Sequence, residues 1–327
     1  MSVPFGISFD CFAPIAEMVA TARRAEACGA TSFWIAEHLG FRESFVTAAV
    51  LGTATGRARL VPTSVSPYLR HPTPTAMALA SLAEFLPDRL AIAVGVGNPL
   101  FLRESGLAID KPLRAVRDYV AGLRDLLGAE PVTREGHTFR LDGARLAFAP
   151  QPTPPVFLAP MGPQMLRLAG TIGDGLVLSA GLSTAFVAGS LAAAAAGAGE
   201  AGRAAERLHK TAYVYFIGGG DPADQRLKVR RKLAFLFRNE NIRENIRASG
   251  LPIDQEAIMA AIARRDGDAA LALVPDEAAD VFAVMGDRDA CRRRLREYLD
   301  AGLDEVVLSL VGTPEDRDRS LDVVALL

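Results

Sequence analysis

Short apolar runs alternate with longer amphipathic stretches along the whole chain, and this alternation restricts the fold more than any motif does. The runs are GISFD (6–10), SFWIAE (32–37), ARLVPTS (58–64), RLAIAVG (89–95), PVFLAP (155–160), GLVLSA (175–180), TAYVYFIG (211–218) and DEVVLSL (304–310). Each is apolar at successive positions, as expected of strands covered on both faces. The stretches between them carry helical spacing. In IAEMVATARRAEACGA (15–30), Met18, Ala22, Ala25 and Cys28 share one face; in PLRAVRDYVAGLRDLLG (112–128), Pro112 suits a first turn and Gly128 a C-terminal cap. Strand–helix alternation leads to parallel pairing with right-handed crossovers. Eight such units predict an α/β chain folded as a single (β/α)8 TIM barrel over 1–327, with an open doubly wound sheet as the alternative.

Two segments break the alternation. PVTREGHTFRLDGARLAFAPQPTPP (131–155) predicts a β-hairpin excursion at about 131–150, turning at Asp142-Gly143. Residues 219–303 form a long insertion between the seventh and eighth strands, with GGGDP, two or more helices and a polar run. The alanine-rich segment 191–208 reads as an exposed helix without chemistry.

The formal net charge of −2 gives no reason to expect a polyanionic partner, and the basic stretch 225–238 reads as a solvated helix face rather than a nucleic-acid site. Cys11, Cys28 and Cys291 are too few and too scattered for a disulfide framework or a metal knuckle. No signal peptide or membrane span is visible, so a cytoplasmic location with no membrane partner is expected.

In a barrel of this kind, reactive groups belong at the C-terminal ends of strands and in the loops that follow. Those positions hold Asp10, Glu37 and His38, then Ser64, Val65, Ser66, Tyr68, Arg70 and His71. After them come Gly95, Gly97 and Asn98, then Met161, Gly162 and Pro163, then Ser179. GVGNP and APMGPQMLRLAG resemble anion sites: glycine brings backbone close to a ligand, and a helix start offers free N–H groups. His38 reads either as a proton-handling imidazole or as a histidine bonded to a backbone carbonyl. Four histidines without HxH or HExxH spacing argue for no metal.

The series FWIAEH, TSVSPYLRHP, RLAIAVGVGNP and PVFLAPMGPQMLRLAGTIGDGLVLSAG is similar to the bacterial luciferase-like superfamily of flavin and deazaflavin oxidoreductases. RHPTPTAMALASL and GPQMLRLAGTIGDGLVLS resemble its methylenetetrahydromethanopterin reductase-like branch, which uses the deazaflavin coenzyme F420. The likeness runs over 6–181, returns at 281–310, and is weak across 219–275. The resemblance implies a non-prolyl cis peptide after the third strand, at Ser64-Val65, backing the cofactor ring, with Pro67, Pro72 and Pro74 bracing that loop. It implies roles beside the ring for Glu37 and His38, a cofactor and substrate wall at Gly95, Gly97 and Asn98, and a phosphate loop at Gly162 and Pro163. Arg70 is left between cofactor contact and structure. Related deazaflavin-dependent sugar-phosphate dehydrogenases carry Glu where this chain has Asn98, which speaks against that activity.

The expectation is an F420-dependent reductase, an EC 1 enzyme, moving hydride between the deazaflavin and a small organic substrate with a C=C, C=N or C=O group. Catalytic roles fall to Glu37, His38 and Asn98. Cofactor binding falls to Asp10, Glu37, Ser64, Val65, Ser66, Arg70, Gly95, Gly97, Asn98, Met161, Gly162, Pro163 and Ser179. The alternatives are an FMN-dependent two-component monooxygenase, served by a flavin reductase partner, and a non-catalytic flavin-binding protein. By analogy with the superfamily a homodimer is expected, through the apolar segments 44–55 and 73–86.

Overall fold

The structure, a computed structural model, describes residues 3–325. Its strands are β1 (Phe5–Phe9), β2 (Ser32–Ala36), β3 (Arg59–Thr63), β4 (Ile92–Val94), β5 (Val132–Glu135), β6 (Arg140–Ala144), β7 (Val156–Leu158), β8 (Gly175–Leu178), β9 (His209–Gly218), β10 (Ala283–Gly286) and β11 (Glu305–Leu310). The first helices are α1 (Ile15–Ala27), α2 (Ser44–Ala54), α3 (Pro72–Phe85), α4 (Pro99–Glu104), α5 (Pro112–Leu127) and α6 (Pro163–Ile172). All eight expected strands are present, and the fold class is a (β/α)8 barrel.

The chain divides into two compact units. The larger comprises Ser8–Val177 and Ala193–His209. Within it β2 pairs with β3 in parallel from Ser32↔Arg59 to Ala36↔Thr63. Bridges at Leu60↔Leu90 and Val65↔Val94 carry β3 to β4. Then β4 pairs with β7 and β7 with β8, again in parallel. Sequential parallel order is the expected product of repeated strand–helix units. The core follows from the strand sequences: Trp34 is buried, stacks on Phe157 at 5.8 Å between ring centroids, and donates its indole N–H to Ser32 Oγ at 2.7 Å. Helix α5 buries Val116, Val120, Leu123 and Leu127, spaced three or four apart, as its periodicity demands.

The other unit holds the segment ending at Ile7, Leu178–Ala192, and the chain from Lys210 onward. Here β1 pairs with β11, and β11 with β9, both in parallel. The 219–303 insertion contains helices Pro222–Leu236, Arg243–Ser249, Gln255–Ala263, Gly267–Ala272, Glu277–Phe282 and Arg288–Asp300. It also contains β10, which adds in parallel to β9 from Ala283↔Tyr215. Sequence reading missed β10 because four residues, AVMG, are too short to carry a period.

Two local expectations need correction. The hairpin β5–β6 exists, but it turns at Gly136, whose N–H donates to Phe139 O at 2.9 Å, while Asp142 and Gly143 lie within β6. The alanine-rich segment belongs to a helix, Thr184–Glu200, that is not simply exposed: Leu191, Ala194 and Ala198 are buried. A Cβ on Gly197 would fall 2.1 Å from Arg167 O, and one on Gly170 1.8 Å from Ala194 O. The small residues permit close backbone approach to α6.

Candidate active site

The site grows from the ends of β2, β3 and β4 in the larger unit. Glu37 N–H donates to Thr63 O at 2.6 Å, locking the two strand ends together. The non-prolyl cis peptide lies between Thr63 and Ser64, one residue before the expected Ser64-Val65 bond. Beyond it the chain stays tied to β4: Val65 N–H donates to Ala93 O at 2.8 Å, and Gly95 N–H to Val65 O at 3.1 Å. Ser66 Oγ donates to Val96 O at 2.7 Å and accepts from Tyr68 N–H at 3.2 Å. Two glycines are required here. A Cβ on Gly95 would stand 2.7 Å from Ser64 Oγ and 3.1 Å from Ala159 O, and Gly97 has φ +90°.

These loops enclose a cleft lined by Glu37, Ser64, Ser66, Gly97 and Asn98, with Leu39, Leu69, Phe101 and Leu102 as its apolar wall. Glu37 is buried, with its side chain 6 % exposed. Its Oε1 accepts from Arg70 Nε at 2.8 Å and its Oε2 from Ser44 Oγ at 3.1 Å. Burial pushes its carboxyl above the usual range, outweighing the pull of Arg70 and Ser44 in the other direction. Arg70 also pairs with Glu43 and lies over the Phe45 ring at 5.0 Å. Its guanidinium is therefore committed to holding Glu37 and the loop.

His38 Nδ1 lies 3.0 Å from Asp10 O. A carbonyl can only accept, so Nδ1 is the donor in this contact, as the carbonyl-bonded reading of His38 expects. Asp10 itself is exposed, and its Oδ1 accepts from Phe12 N–H at 3.0 Å. Asn98 is the N-cap of α4, its Oδ1 accepting from Leu100 N–H at 2.9 Å.

Gly95 and Val65 stand behind the cleft wall, while Met161, Gly162 and Pro163 lie apart from its lining, at the exposed start of α6. Gly162 has φ +80° and open space where a Cβ would point. Ser179 follows β8 in the other unit and is half-buried. Sequence reasoning missed Glu43, Ser44 and the Leu39, Leu69, Phe101, Leu102 wall. The ESF start of α2, where Glu43 caps Val46 N–H, was the available signal.

The start of α6 can receive an anion: Gly162 has open space where a Cβ would point, and the helix entrance carries no side-chain cap. The chain belongs to the luciferase-like monooxygenase family, whose model matches residues 6–305, and it is an enzyme of the oxidoreductase class. It is 30 % identical over 304 residues to a 5,10-methylenetetrahydromethanopterin reductase from Methanolobus tindarius, covering 93 % of each chain. It is 28 % identical to an F420-dependent glucose-6-phosphate dehydrogenase from Nocardia farcinica, covering 99 % of this chain and 95 % of that one. Among solved structures, the coenzyme F420 dependent tetrahydromethanopterin reductase from Methanopyrus kandleri superposes with a TM-score of 0.88 at 24 % identity, covering 99 % and 98 % of the two chains. The monooxygenase RslO1 from Streptomyces bottropensis gives 0.74 at 19 %, covering 99 % and 98 %; the fold is common to both.

Proposed function

We propose that this protein is an F420-dependent oxidoreductase that transfers hydride between the deazaflavin and a small organic substrate bearing a C=C, C=N or C=O group. The observation that carries the reading is the cleft at the strand ends lined by Ser64, Ser66, Gly97 and Asn98 and bordered by Glu37. The relatives' use of coenzyme F420 supports the choice of cofactor. Bound there, the deazaflavin supplies the carbon that gives or takes the hydride.

The chain's own residues do the remaining work. Backbone at Ser64, Val65 and Ser66 seats the ring, held in place by the close packing that Gly95 and Gly97 allow against Ser64 and Ser66. Met161, Gly162 and Pro163 at the start of α6 take the phosphate, because N–H groups at the helix entrance favour an anion. His38 Nε2 accepts or returns the substrate proton, and the Asp10 carbonyl keeps the ring in the tautomer that allows it. Glu37 holds a negative charge beside the site, with both oxygens fixed by Arg70 and Ser44, and Arg70 acts through Glu37. Asn98 orients the substrate from the α4 cap.

The same reading treats the chain as one barrel domain interrupted by the 219–303 insertion. It also gives a cytoplasmic homodimer. Val46 on α2 and Met77 and Phe85 on α3 are 57 %, 54 % and 60 % exposed, and their burial against a second copy removes apolar surface from water. No helix among the described residues is long and apolar enough to cross a membrane.

The test is titration of the purified protein with coenzyme F420 and, separately, with FMN, followed by fluorescence quenching. Quenching of F420 with little or none of FMN is expected. Preference for FMN would replace the reading with a monooxygenase fed by a reductase partner, and binding of neither would remove it.

A further inference from the structure

We propose that the mouth of the cleft takes a flat, uncharged aryl or conjugated carbonyl compound, whose apolar body lies against Phe12, Phe41 and Phe101 with its carbonyl beside His38. The inference rests on the deazaflavin reading and names its substrate class. Three separate loops supply the phenylalanines: the one after β1, the one after β2, and α4 after β4. Phe12 stacks on the His38 imidazole, with centroids 5.2 Å apart and planes at 30°. Phe41 lies 4.4 Å from Phe12 and 6.0 Å from Phe101, and Phe101 meets His38 edge-on at 5.4 Å. The histidine that handles the proton is thus framed by aromatic rings.

Phe12 and Phe41 are 46 % and 45 % exposed, and a flat apolar ligand would recover the apolar surface they leave in water. Phe101 belongs both to this cluster and to the wall of the cleft, so the aromatic surface continues into the candidate active site.

Charge argues for the same class. Glu37 is the one charged side chain among the cleft-lining residues, and its cation, Arg70, is held by Glu37 and Glu43. The neighbouring Arg42 guanidinium donates to Phe12 O at 2.5 Å and serves the loop. An anionic substrate would meet a carboxylate and no uncommitted cation in that lining. Reduction of the proposed ketone to its alcohol takes one hydride at carbon, from the reduced deazaflavin, and one proton at oxygen, given by Nε2 of His38 as the imidazolium, which is left as the neutral imidazole.

Acetophenone is the probe, with 4-carboxyacetophenone as its charged counterpart, and binding to the full chain is read by ligand-observed NMR. Acetophenone is expected to bind, and the carboxylate at least about tenfold more weakly. The paired change Phe12→Ser with Phe41→Ser should weaken acetophenone at least about fivefold while F420 quenching stays as it was. If the serine pair lowers the melting temperature, Phe12→Leu with Phe41→Leu replaces it, with a loss of about threefold expected as the rings go but the bulk stays. Equal binding of the carboxylate, an unchanged affinity in the ring-less variants, or no binding of acetophenone would each overturn the proposal. Acetophenone binding without F420 binding would instead remove the cofactor reading and leave the aromatic subsite standing.

Discussion

Each unit covers a carboxylate whose titration is shifted, and the two shifts run in opposite directions. Asp316, 2 % exposed, lies in the unit that contains β9 and β11; Glu37, 6 % exposed, lies in the unit that contains β2 to β4. Burial pushes both upward. At Asp316 the donors prevail: Lys228 Nζ at 2.7 Å and the Thr313 N–H at 2.8 Å, within a capping box, hold the carboxyl below its usual range. At Glu37 one guanidinium, shared with Glu43, and one hydroxyl leave burial dominant, and the carboxyl stays high. The first is a fully satisfied anchor for a helix start. The second keeps electrostatic tension at the edge of a cleft, which is where perturbed groups gather at functional sites.

The sharpest test of that contrast is Asp316→Ala. It should cost about 1 kcal/mol of stability by removing the capping box at Thr313, visible as a lower denaturant midpoint with an unchanged slope. F420 quenching should not change; loss of cofactor affinity with stability intact would invert the assignment. On the other side, His38→Ala should lower turnover about 100-fold while cofactor affinity holds. Equal losses in both would mean that the imidazole only shapes the pocket.

Arg70→Met removes the strongest pull on Glu37 toward the ionised form, so the carboxyl should rise further. A pH–rate profile should then show its acid limb moved to higher pH, with turnover near neutrality down about tenfold. An unmoved limb would show that ionised Glu37 is not needed.

The smallest effect concerns stability against pH. A raised folded-state pKa means the native protein binds more protons than the unfolded chain. Glu37 therefore subtracts stability as pH rises from about 4.3, its unfolded value, through its raised one. Asp316, with its folded pKa lowered, adds stability above about 3.9 and loses it as pH falls through the lowered value. Comparing Glu37→Gln and Asp316→Asn with the parent across pH 2–7 should give slopes of opposite sign. Slopes of the same sign would break the comparison.

Much of this was legible in order along the chain. The eight barrel strands, the α1 and α5 faces and the hairpin came from periodicity, which needs only neighbours in sequence. Glu37 and His38 were visible because a polar pair directly follows an apolar run at a strand end. The displaced cis bond was less visible: the TSVSP stretch around Thr63-Ser64 fixes the neighbourhood of the bond but not which peptide turns. Asp316 was hidden because PEDRDRS reads as a solvated helix start, and only packing shows one of its acids to be covered.

By itself, then, the sequence determined the parallel barrel, the strand-end loops that carry chemistry, and the residue types available there. The reason is physical: burial on both strand faces and on one helix face leaves a periodic trace in the residues themselves. Tertiary structure alone decided which groups meet. Phe12, Phe41 and Phe101 are separated by 29 and 60 positions, yet they close around His38. Arg70 reaches across 33 positions to Glu37. Such contacts depend on loop geometry and on the balance of desolvation against pairing at each carboxylate, and neither leaves a period to read.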